Sequence, residues 1–247
     1  MWTDVIDLRD FYASNLGSVA QRMIARRVRD FWPNVKGQNI LGLGYATPFL
    51  NSFRGEAERV LAAMPAQQGV LHWPPDSNGL TTLTDEVELP FPDMSVDRVL
   101  LVHALGCAEQ VRPMMREIWR LLSGGGRLLV VAPNRRGIWA RFEHTPFGHD
   151  RPYTPAQLSR VLRDNLFTPF QSTAALFVPP TRSRMVLSSA TAWEEIGQRW
   201  FTTVAGVIMV EATKQIYAGQ DQPQPATRRR RSYVPLAEKN SGAPTRG

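Results

Sequence analysis

The stretch LGLGYATP, residues 41 to 48, places Gly42 and Gly44 in a turn between an apolar run and a proline that can open a helix. Glycine tolerates φ > 0 and has no Cβ, so such a turn can be sharp and can let a ligand approach the backbone. Free N–H groups at the start of the next helix can receive a carboxylate. Taken alone, the two glycines fit a nucleotide-like cofactor loop and a plain strand–helix turn equally well. His103 follows the apolar run RVLLV. An imidazole there can bind substrate, act as a base near neutral pH, or be satisfied by backbone groups at a strand end. Asn134, Arg135 and Arg136 follow another Val/Leu run, where they face either an anionic substrate or solvent. His144 and His149 flank TPFG, with Glu143 and Asp150 beside them. Their spacing matches no standard metal pattern, so a loop over the site or a structural turn is expected, and no metal.

Composition narrows the classes. Hydrophobic residues make up 43% of the 247 and charged residues 21%, as in ordinary globular chains. A single cysteine, Cys107, excludes an intrachain disulfide and any multi-cysteine metal site. No apolar run approaches the roughly 20 residues of a membrane span. The N-terminus MWTDVIDLRD lacks a signal-peptide pattern. A cytoplasmic protein is expected. The net charge is +7, and part of it lies in a Pro-, Gln- and Arg-rich segment after Gly219 that lacks periodicity. Arg228 to Arg231 there can contact phosphates of nucleic acid or an anionic surface, or form a solvated basic tail.

These residues need elements to hold them. Apolar spacing near three and four predicts one helix over Leu8 to Trp32, ended by Pro33. QNILGL reads as a strand entering the glycine turn, and Thr47-Pro48 as an N-cap and first helical residue of a short helix. ERVLAAMP is a second strand, GVLHWP a weaker one, and TTLTDEVELPFPD mostly loop. VDRVLLVHAL is a buried strand, VRPMMREIWRLL an amphipathic helix, and SGGGRLLVVAP a strand after a glycine stop. A loop-rich stretch follows, in which Trp139 and Phe142 either line a pocket or anchor the chain. A helix then begins at Thr154-Pro155, and strands FQSTAALFVPP and AGVIMVEATKQIYA flank a helix from Ala192 to Trp200. Apolar strands with crossover helices predict an α/β, mostly parallel sheet covered on both faces. We expect one domain over 1–218, with an N-terminal helical cap (1–37), a core (38–135) and a substrate-side portion (136–218), then a basic tail over 219–247.

ELPFPDMSVD at 88–97 and LLSGGGRLLVV at 121–131, in that order after the glycine turn, resemble the class I S-adenosylmethionine-dependent methyltransferases of type 11. TPFGHDRPYTPAQL is similar to a segment of some bacterial members. The resemblance covers roughly residues 38 to 135. It implies a Rossmann-like, seven-stranded, mostly parallel sheet with an antiparallel C-terminal edge, and S-adenosylmethionine as cofactor. Gly42, Gly44 and Ala46 then match the G-x-G-x-G loop, with alanine at the third position, tolerable where φ is negative. The second strand ends in Met64-Pro65 where the family places a ribose-binding acid. Asp85, or Glu86 beside it, aligns with the adenine-contacting acid, and His103 lies where members place residues near the methyl group. Tyr12 would close over the cofactor or serve as a core aromatic. The methyl acceptor is open among small molecules, lipid, RNA and protein. The alternative is a methyltransferase fold kept as a binding or regulatory module with a protein partner. A nicotinamide-dependent Rossmann enzyme is a third reading, to which GLGYAT is a poorer match.

Overall fold

A computed structural model describes residues 4–200 and 202–216. The basic segment containing Arg228 to Arg231, together with Tyr217 and Ala218, lies outside them.

The chain opens with helices α1 (Val5–Ala13) and α2 (Asn15–Phe31), where one continuous helix was expected. Ser14 makes the break. Its Oγ accepts from Gly17 N–H at 3.0 Å and donates to the Phe11 carbonyl at 2.6 Å. A side chain that competes for backbone groups in this way ends one helix and caps the next. Gly17 lets the two helices meet closely, since a Cβ there would lie 1.9 Å from the Phe11 oxygen.

Strand β1 (Asn39–Gly44) leads through the glycine turn into α3 (Thr47–Leu50). Ala46, not Thr47, holds the cap position, one residue earlier than expected. Then come β2 (Arg59–Pro65), β3 (Thr81–Thr84), β4 (Val96–Val102), α4 (Val111–Leu121) and β5 (Leu122–Pro133). The C-terminal part adds α5 (Pro146–His149), α6 (Pro155–Asp164), β6 (Phe167–Ala175), α7 (Arg184–Ser188), α8 (Ala190–Trp200) and β7 (Val207–Lys214). Two expectations are corrected. GVLHWP forms no strand, being followed at once by Pro74 and Pro75. TTLT, read as loop, is β3, whose β-branched threonines pair in parallel with β2 from Ala62↔Thr81 to Pro65↔Thr84.

The seven strands lie in the order β3-β2-β1-β4-β5-β7-β6. β1 to β5 are mutually parallel, and β7 runs antiparallel between β5 and the edge strand β6. Alternate residues face opposite sides. Ile40, Leu100, Val102, Leu129 and Met209 pack under α1, α2 and α3. Leu41, Leu43, Leu101, Val130 and Ile208 pack under α4 and α6. Strand order reverses at β1 and β4, which makes their carboxyl ends the place where a sheet of this kind takes ligands. Among the described residues no helix is long and apolar enough to cross a membrane.

One charge sits wholly inside this frame. Glu211 on β7 is fully buried, accepts from Trp32 Nε1–H at 2.7 Å and from Arg98 at 3.3 Å, and has Arg127 3.7 Å away. Burial pushes its carboxyl above the ordinary glutamate range, against the pull of Trp32 and the two arginines. Removing one partner of a buried pair leaves the other desolvated and unpaired. Glu211→Ala is expected to lower the unfolding free energy by about 3 kcal/mol in urea denaturation.

Candidate functional site

The turn after β1 is built by its glycines for internal reasons. Gly44 has φ +81°, and a Cβ on it would lie 2.3 Å from the Val102 carbonyl and 2.8 Å from Ala104 Cβ. A Cβ on Gly42 would meet Ala46 and Leu50 at 2.7 Å. Ala46 has φ −91°, so alanine costs nothing at the third position of the loop. Gly44 pairs with Val102, which places His103 beside the turn.

His103 is the centre of a buried polar chain. Its Nδ1 lies 2.7 Å from Asp150 Oδ2, and its Nε2 lies 2.8 Å from the Tyr12 hydroxyl. Asp150 Oδ1 accepts from the Cys107 thiol at 2.7 Å. All four side chains are buried. Burial first, and then the Asp150 carboxylate, hold the Tyr12 phenol well above the usual tyrosine range. Tyr12 is therefore a phenol that donates to Nε2, and in the neutral ring Asp150 fixes Nδ1 as the donor. His103 adopts φ 50°, a left-handed conformation uncommon outside glycine and held here by its surroundings.

Three separate elements bring these groups together. α1 contributes Tyr12, which stacks on Tyr45 with ring centres 5.7 Å apart and meets Phe49 edge-on. The end of β4 contributes His103. The residue after α5 contributes Asp150, and α5 itself sets Phe147 against His103, Phe11 and Trp139. Trp139 is fully buried and donates to the Val178 carbonyl, so it anchors this loop, whereas Phe142 is largely exposed. Asp150 was visible in the sequence only as a neighbour of His149. Its pairing with His103 spans 47 residues and leaves no local signal.

The other sequence candidates fall around the same strand ends. Met64 is fully buried at the end of β2, and Asp85 is exposed, its Oδ1 accepting from Val87 N–H. Glu86 is buried and accepts from the N–H groups of Glu109 and Gln110, which serves the start of α4. Gln68, not singled out in the sequence, reaches from the turn after β2 to donate to the His103 carbonyl at 3.1 Å. Its Oε1 is buried and has no partner among the described residues. Val5 N–H donates to the Gln68 backbone carbonyl, tying α1 to the same turn. The His144 and His149 side chains are exposed. Arg135 donates to the Pro152 carbonyl, while Arg136 is exposed and lines, with Arg27, Asn134, Thr173 and Phe177, a cavity of about 560 Å³ beyond β5.

S-adenosylmethionine would meet in this donor set one acceptor that has no partner among the described residues. Gln68 Oε1 is a buried acceptor awaiting a donor at the end of β2, where Met64-Pro65 offers no carboxylate. Tyr12, Tyr45 and Phe49, all buried, pack on one another beside the turn. The donor set fits the group at Gln68 Oε1, and α1 lies packed beside the turn.

The polar chain gives a test of its own. A tyrosine raised in the folded state contributes stability that is complete below its unfolded value near 10 and is lost as pH rises towards the folded value. Between pH 10 and 11, wild type is expected to lose up to about 1.4 kcal/mol more per pH unit than Tyr12→Phe. Tyr45, pushed up to about 12 by burial, remains in both proteins. Denaturant melts across this range read the difference.

Residues 41–130 match the methyltransferase-domain family. No protein of curated function matches the chain. Among solved structures, a SAM-dependent methyltransferase from Thermotoga maritima superposes with TM-score 0.60 at 16% identity, covering 85% of this chain and 96% of that one. A methyltransferase in complex with the Trm112 methyltransferase activator of Haloferax volcanii gives 0.58 at 15%, covering 87% and 100%. Geranyl diphosphate C-methyltransferase from Streptomyces coelicolor A3(2), with Mg2+, geranyl diphosphate and S-adenosyl-L-homocysteine, gives 0.52 at 14%, covering 77% and 76%. Residues 41–130 thus match the methyltransferase-domain family, and the chain has the Rossmann-like fold of the S-adenosylmethionine-dependent methyltransferase structures it resembles.

Proposed function

We propose that the chain is an S-adenosylmethionine-dependent methyltransferase whose cofactor cradle is closed by α1 in this conformation. The observation that carries this reading is the Tyr12–His103–Asp150 chain beside the β1 turn. A buried, hydrogen-bonded imidazole and carboxylate here lie at the strand-order reversal where sheets of this kind take ligands.

Gly42, Gly44, Ala46, Met64 and Asp85 would border the cofactor, and Gln68 Oε1 would accept a hydroxyl hydrogen in place of the missing carboxylate. When bound, S-adenosylmethionine supplies an electrophilic methyl group on its sulfonium. His103 Nε2, freed from Tyr12, takes the proton that the acceptor releases. Asp150 keeps Nδ1–H oriented and offsets the positive charge that develops on the ring. The aromatic surround of Tyr45, Phe49 and Phe147 excludes water around these groups. The activator bound to the Haloferax relative supports a protein partner for this chain as well.

A second reading keeps the fold as a binding or regulatory module. The packed cradle and the absence of an acid after β2 favour it. Calorimetry with S-adenosylhomocysteine separates the two. If α1 guards the cradle, apparent affinity is reduced by the fraction of molecules that are open. Tyr12→Ala is therefore expected to bind at least tenfold more tightly than wild type. If neither protein gives heat or a thermal shift at millimolar S-adenosylhomocysteine, the module reading replaces the enzyme.

A further inference from the structure

The segment from Thr181 to Val204 carries an apolar surface that the fold leaves uncovered. α8 buries Ala190, Glu194 and Gly197, at spacings of four and three, against the body of the protein. Gly197 is the tightest point, since a Cβ there would lie 2.2 Å from the Phe177 ring. This contact fixes the rotation of the helix, and with it the stripe that faces out. That stripe is Trp193, Ile196 and Trp200, exposed by 43, 53 and 71%. Just upstream on α7, Met185 is 82% exposed. Scattered single apolar residues on a surface are ordinary, but two tryptophans and an isoleucine at positions i, i+3 and i+7 form a contiguous patch.

The charges of this segment are mostly basic, and Arg182 shares a groove with Asp7 and Asp10 of α1. Arg182, Arg184 and Arg199 are exposed, and the only exposed acid between Thr181 and Val204 is Glu195, because Glu194 is buried. The Arg199 guanidinium sits 5.8 Å from the centre of the Trp200 ring. Tryptophan favours the boundary between hydrocarbon and water, where its ring is apolar and its N–H can stay wet. Arginines flanking such rings reach lipid phosphates while the apolar side chains enter the headgroup layer. The chain as a whole carries +7 and includes Arg228 to Arg231, which adds long-range attraction to an anionic surface.

We propose that the α7–α8 face docks the protein on an anionic lipid bilayer, with Trp193, Ile196 and Trp200 in the interface and Arg182, Arg184 and Arg199 on lipid phosphates. Nucleic acid would use the arginines but leaves the Ile196 and Met185 surfaces without a role. The proposal stands whether or not the cofactor reading holds.

The test is co-sedimentation of the full chain with vesicles. The protein is expected to pellet with equimolar phosphatidylcholine and phosphatidylglycerol vesicles and to stay in solution with phosphatidylcholine alone. The W193S/I196S/W200S variant, checked for native circular dichroism, is expected to bind the anionic vesicles at least tenfold more weakly. If that variant fails to fold, R182Q/R184Q/R199Q is used instead and is expected to lose the preference for anionic lipid. Absence of wild-type pelleting overturns the proposal. Undiminished binding by the folded triple-serine variant also overturns it, because charge elsewhere would then carry the association. Sedimentation of wild type as a dimer that the triple-serine variant abolishes, without vesicle binding, assigns the face to a second copy and equally overturns it.

Discussion

The hydrogen bond between the Tyr12 hydroxyl and His103 Nε2 joins the first helix of the chain to the end of its fourth strand, 91 residues away. Both groups are buried, and a buried polar group without a partner costs about 1–3 kcal/mol. Each therefore holds the other in place. Asp150 and Cys107 extend the chain on the far side, so α1, β4 and the segment after α5 are fastened at one point. The fold over the carboxyl ends of β1 and β4 depends on this fastening. Without it, α1 has only Val5, Leu8 and Tyr12 as its buried contacts.

The same contact explains why the cradle is full. Helix α1 buries Val5, Leu8 and Tyr12, and Tyr12 stacks on Tyr45 directly after Gly44. Ser14 breaks the helix immediately beyond it, and Gly17 lets α2 pack closely on the end of α1. The nine residues of α1 are fastened at the inner end by the Tyr12–His103 bond and at the outer end by the Val5 N–H bond to the Gln68 carbonyl.

The far end of the sheet obeys different constraints. β7 runs antiparallel between β5 and β6, and its Glu211 pins Trp32 and Arg98 in the interior. Beyond β6, α8 packs through small residues and therefore lies close, turning its large apolar residues outward.

Much of the frame was legible from local pattern. Val/Leu runs marked β1, β4 and β5, Thr154-Pro155 marked α6, and the order of the glycine turn and the ELPFPD and SGGG stretches pointed to the methyltransferase fold. These features are set by neighbours a few residues apart, which is why one chain read in isolation reveals them. β3 was missed because TTLT has too few apolar residues to stand out until β2 supplies its partner strand. The break at Ser14 was missed because apolar periodicity continues across it, and only the hydroxyl's choice of Phe11 and Gly17 decides it. His103 was found by its place after a strand, but Asp150, Gln68 and the role of Tyr12 come from contacts across 47, 35 and 91 residues. The sequence by itself determined where strands turn and what chemistry each residue type can do. Only the tertiary structure decided which of those residues meet, because a hydrogen bond depends on separation in space, and chain order does not encode that separation directly.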